Sequence, residues 1–130
     1  PYTLSLHDAL PIYREGFKMD EFKGTRGEWK VKHSESKTAY NIIGTSLGGK
    51  YKIARCPYIK DDNLPEKINN NEINEAKANA QLISACPDLL NACQAFMGLF
   101  RESDMRPEDE SYELADIIQN AINKALGINQ

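Results

Sequence analysis

The spacing of apolar residues changes once along this chain, and that change limits the folds open to it. Up to Cys56 the spacing is two. From Glu72 onward it is between three and four. The first period belongs to half-buried strands and the second to amphipathic helices. In Glu28–His33, Trp29, Val31 and His33 alternate with Glu28, Lys30 and Lys32. Thr38–Thr45 is rich in β-branched and aromatic residues, and Gly48-Gly49 marks a turn. In Lys50–Cys56, Tyr51, Ile53 and Arg55 alternate with Lys52, Ala54 and Cys56, and Pro57 ends the run. Short strands followed by helices give an α+β class: a small antiparallel sheet of three to four strands, then two or three α-helices forming a helical hairpin.

The connector 61–71 is polar, with Pro65 and an Asn69-Asn70-Asn71 cluster, and reads as a loop or helix entry. Asn71 or Asn74 is a fitting N-cap for the helix that follows. Ala76, Asn79, Ala80, Ile83 and Cys86 fall on one face, and Pro87 divides the helical stretch into Asn71–Ala85 and Pro87–Arg101, as two helices or one bent one. The second part carries a wide stripe of Leu89, Leu90, Cys93, Phe96, Met97 and Phe100. Pro107 suits the first position of the last helix, whose expected buried face is Leu114, Ile117, Ile118, Ala121, Ile122 and Ala125. Gly127 is its natural terminator. The last two helices are expected to pack as a hairpin on one face of the sheet.

The chain has 130 residues, and its first part holds an expected foreign segment. Residues 3–12, TLSLHDALPI, resemble a translated sequencing adapter of the kind that enters gene models built from metagenomic reads. Residues 1–18 are therefore expected to be a non-native leader, to be left out of fold reasoning. Residues 19–130 are expected to form a single α+β domain: a basic β-meander over 19–60, a connector over 61–71 and helices over 72–127. Its core is thin for its surface, and the wide apolar stripe calls for a homo-oligomer.

The formal charge of −3 conceals a split. Residues 20–60 hold nine Lys/Arg against four Asp/Glu, a balance of +5, whereas residues 61–130 hold five against thirteen, a balance of −8. One reading is two solvated faces that attract each other. The other is a basic concave surface that holds a small anion, with acidic helices keeping the particle soluble. The overall balance disfavours stable binding to nucleic-acid duplexes. No apolar run approaches the length of a membrane span.

Catalytic chemistry finds little to work with. After the leader is set aside, His33 is the one histidine, and no GxSxG elbow occurs. Gly44–Lys50 ends in Lys50-Tyr51, not the Lys-Ser/Thr of a phosphate loop, and reads as a hairpin turn. Cys56, Cys86 and Cys93 lack a CxxC pair, so reduced thiols are expected, with no metal and no cofactor. The chain is not expected to be an enzyme. Binding chemistry has more support. Aromatic rings stack bases, cations neutralise phosphates and amides read base edges. The candidate ligand-binding set is Trp29, Tyr40, Lys52, Arg55, Asn79 and Arg101. Asn79 is the most informative member, because an amide on a buried helix face needs a partner, either within the fold or on a ligand.

Two segments together resemble a set of small phage and prophage proteins. Phe22–Trp29 (FKGTRGEW) resembles their Thr-Pro-Gly-Pro-Trp opening, with Arg26 and Glu28 in place of both prolines. Glu75–Ala92 (EAKANAQLISACPDLLNA) resembles their ANA-x-LI-x-A-x-P-x-LL helix, with Asn79 and Pro87 in register, and Ala121–Gly127 resembles their close. The resemblance implies a phage accessory protein acting in the cytoplasm of an infected bacterial host. By analogy with the sponges that inhibit Thoeris and CBASS defences, it implies sequestration of a nucleotide messenger, a cyclic oligonucleotide or cyclic ADP-ribose derivative. The alternative is an oligomeric accessory protein that binds a host or phage protein through its helices.

Overall fold

A computed structural model describes residues 22–44, 52–103 and 109–128. The expected leader, the Gly48-Gly49 turn and the Pro107 helix start lie outside the described residues. The order of elements is β1 (Trp29–His33), β2 (Ala39–Gly44), β3 (Lys52–Pro57), α1 (Glu66–Ser84), α2 (Cys86–Arg101) and α3 (Glu110–Leu126). This is an α+β fold with a three-stranded antiparallel sheet in the order β1-β2-β3. The chain forms two compact units. Of the described residues, one unit takes those of 24–87, the sheet with α1, and the other takes those of 88–128 with 22 and 23.

In the sheet unit, β2 is central. Trp29 pairs with Gly44, Val31 with Ile42 and His33 with Tyr40 on one side; Tyr40 pairs with Cys56 and Ile42 with Ala54 on the other. These residues share a face, since side chains directly opposite one another point the same way. Helix α1 packs against all three strands. Ile42 is fully buried, whereas Lys30, Lys32, Lys52 and Arg55 are exposed, so α1 lies on the Ile42 face. The expectation gave this place to the last two helices. It belongs to α1, whose strip of Asn69, Ala76 and Ala80 is buried.

Helix α1 also starts earlier than its polar sequence implies. It follows Pro65, so the Asn69–Asn71 cluster is helical, and Asn71 and Asn74 are interior rather than caps. The cause is a tertiary hydrogen-bond pair. Asp61 N–H donates to Asn69 Oδ1 at 3.1 Å, and Asn69 Nδ2 donates to the Asp61 carbonyl at 2.9 Å. Paired at both ends, the buried amide offsets the low helix propensity of asparagine. Asn79 is exposed, not buried as expected. One residue short of Ala80, it is turned about 100° from that neighbour around the helix. Cys86 opens the next helix and is likewise exposed.

The helical unit is built on Leu90 and Met97 of α2 against Ala115 and Ile122 of α3, flanked by Phe22, Phe96, Phe100 and Ile118. The working stripe of α3 is therefore Ala115–Ile118–Ile122. Leu114 and Ile117, expected inside, are 50% and 65% exposed, and Ala121 and Ala125 also face out. One partner helix covers only part of an apolar arc this wide. Leu89 of α2 is exposed as well. Gly127 ends α3 with φ at 72°, and Ile128 N–H returns to the Asn123 carbonyl at 2.8 Å, as its placement predicts.

Candidate functional site

The sheet face turned away from α1 carries the positive charge. Strict alternation in β3 would put Lys52 and Arg55 on opposite faces, because they are three residues apart. A β-bulge changes this. Arg55 pairs with Asn41, while the register shift between Ile42 and Ile43 pairs Lys52 with Ile43. Asn41 and Ile43 are two apart on β2 and share a face, so Lys52 and Arg55 share it as well. The extra residue is Ile53, and re-aiming a side chain in this way is a common use of a bulge.

Two cross-strand rows result. Lys32, Asn41 and Arg55 form one; Lys30, Ile43 and Lys52 form the other. A pocket of about 440 Å³ opens over them, lined by Lys32, Asn41, Ile43, Lys52 and Arg55, with Ser34, Glu35 and Ser36 from the β1–β2 loop. Among the described residues no carboxylate forms an ion pair with Lys30, Lys32 or Lys52. Arg55 Nη2 donates to Thr38 Oγ1 at 3.3 Å, a neutral partner that leaves its charge available. Glu35 is the one acidic lining residue. Asn41 is only 7% exposed, and among the described residues its Oδ1 has no hydrogen-bond partner. An unsatisfied buried acceptor costs about 1–3 kcal/mol.

The loop that frames the pocket is rigidly wired. Ser34 Oγ accepts from the backbone N–H of Thr38 and of Ala39, at 3.0 and 3.1 Å. Lys37 takes φ 56°, and its carbonyl accepts from the Tyr58 hydroxyl at 2.7 Å. A carbonyl only accepts, so that proton belongs to Tyr58. His33 Nε2, 2.6 Å from the same hydroxyl, must then donate to it, which fixes the Nε2–H form of the ring. His33 stacks on Tyr40 with ring centroids 4.3 Å apart. Burial pushes the Tyr58 hydroxyl above the usual tyrosine range, and Tyr40 adds to the shift.

The structure thus brings together two of the six sequence candidates, Lys52 and Arg55. Trp29 and Tyr40 stand on the α1 side of the sheet; both are half-buried, and Trp29 Nε1 donates to the Thr25 carbonyl at 3.1 Å. Asn79 is exposed on α1. Arg101 belongs to the helical unit, where it donates to Gln119 Oε1 at 3.1 Å. The candidate set omitted Lys32 and Asn41, which line the pocket. The alternation in Glu28–His33 did carry the signal for Lys32, whereas the position of Asn41 depends on strand pairing. Among the described residues no group of three or more His, Cys, Asp or Glu is placed to hold a metal. No helix among them is long and apolar enough to cross a membrane.

No curated protein matches this chain, and no solved structure does. A family model does: that of Salmonella phage P22 protein Y8K6, over residues 18–129. With most of its length matched, the chain belongs to this phage protein family.

Proposed function

We propose that this phage protein is a non-enzymatic binder that sequesters a small phosphorylated ligand on the basic face of its sheet. The ligand class is a nucleotide messenger of bacterial immunity, a cyclic oligonucleotide or a cyclic ADP-ribose derivative. The protein would act as a sponge against Thoeris- or CBASS-type defence in the cytoplasm of the infected host. The observation that carries this reading is the bulge that sets Lys52 beside Arg55 over the pocket, with Lys32 on the far strand. Several cations around one concavity raise the local concentration of anions, and a partly apolar floor strengthens each contact. The pocket is large enough for a nucleotide and too small to track a duplex. No nucleophile–base pair is needed, because the ligand is held and not cleaved.

The test is retention. The purified protein is incubated with cyclic dinucleotides, cyclic trinucleotides and cyclic ADP-ribose isomers, then separated from free ligand and heated. Release of intact ligand supports sequestration. Release of a converted product would make it an enzyme, and no retention across the panel would discard the reading.

A second reading is binding of a host or phage protein through the helices, or of further copies of the same chain. It is favoured by Leu114 and Ile117, which α3 leaves exposed one turn apart. A mass by light scattering that stays at one chain would count against self-association.

A further inference from the structure

Cations explain why the pocket attracts an anion, but they do not explain Asn41. In the middle of the cationic rows stands an amide that is more than nine-tenths buried, with Lys32 on one side, Arg55 on the other and its oxygen unpaired. Lysine or arginine in its place would add charge, and valine or threonine would suit a central strand better. Buried polar groups are normally paired within the fold, so an acceptor that is covered yet unpaired, on a residue that lines a pocket, calls for an explanation. Neither flanking cation supplies the missing donor. Arg55 is turned to Thr38 Oγ1, and no hydrogen bond reaches Asn41 from Lys32.

We infer that Asn41 reads the base of the ligand, and that this base presents a hydrogen-bond donor beside an acceptor, as adenine does with its amine and adjacent ring nitrogen. The inference rests on the reading that the pocket holds a phosphorylated ligand. A side-chain amide offers one acceptor and two N–H donors side by side, which complements such an edge in either orientation. Ile43, two residues along the same face, gives the base plane an apolar surface. The phosphates then extend to Lys52 and Arg55. Asn41 is thus a binding residue that selects among nucleotides, while the cations set the affinity for phosphate.

Calorimetric titration of the whole chain with three probes tests this: adenosine 5′-monophosphate, purine riboside 5′-monophosphate and inorganic pyrophosphate. The two nucleotides differ by one amine, and the latter presents ring acceptors alone. The adenine nucleotide is expected to bind at least about ten-fold tighter than its amine-free analogue, the cost of one lost buried hydrogen bond. Asn41→Leu should erase that ratio. Equal affinity of the two nucleotides for the unaltered protein overturns the role of Asn41, and it does so even if the variant fails to fold. Pyrophosphate binding would then leave the phosphate reading standing, whereas no binding of any probe removes both.

Discussion

The Ser34 hydroxyl holds the β1–β2 loop by accepting from two backbone N–H groups at once, and its side chain is buried. Ser34→Ala leaves both donors without that partner and is expected to cost about 1–3 kcal/mol, read from the denaturant midpoint at unchanged slope. Tyr58 ties the same loop to the end of β3. Its hydroxyl titrates above the ordinary tyrosine value, so the folded state holds the proton more tightly than the unfolded chain. The stabilisation is complete below the ordinary value of about 10 and declines as pH rises through it toward the folded value. Ionisation also removes the donor to the Lys37 carbonyl. Stability followed by circular dichroism is therefore expected to fall on the alkaline side, and less steeply in Tyr58→Phe than in the parent. At this scale the sequence was misleading about Asn79. A helical face is legible only to within its width, and one residue of error carries a side chain from the buried strip to solvent.

At the scale of elements, the three strands and three helices were legible because each carries its period: two in β1, and three to four in α2 and α3. The start of α1 was not. Pro65 and three consecutive asparagines are local signals for a loop, and the Asn69–Asp61 pair that overrides them joins residues eight apart. Asn69→Ala removes both hydrogen bonds and leaves the Asp61 N–H unpaired, while the Asp61 carbonyl keeps the Leu64 N–H at 2.9 Å. It is expected to lower stability by about 1–3 kcal/mol, and hydrogen exchange should show fraying confined to the first turns of α1. The β3 bulge was equally hidden. Alternation separates Lys52 from Arg55, and only the pairing with β2 reunites them. Half of the candidate basic face was thus readable as a charge excess, while its assembly depended on one inserted residue.

At the scale of the whole molecule, the charge split acquires a place. The +5 segment over residues 20–60 includes the strands that carry the basic face, and the acidic segment includes all three helices. The exposed Leu114 and Ile117 lie in the helical unit, apart in sequence from the strands of the pocket. If copies associate through α3, Ile117→Asp should reduce the mass measured by light scattering to that of one chain. The same change should leave phosphate binding by the sheet intact. The central claim is that the bulged, cationic sheet face binds a small phosphorylated ligand. Its most direct test is titration of the cyclic nucleotide panel into the unaltered protein and into the double variant Lys52→Ala, Arg55→Ala. The account predicts that at least one messenger binds and that the double variant weakens it by more than ten-fold. Binding of equal strength in both proteins, or none to the unaltered protein, would contradict it.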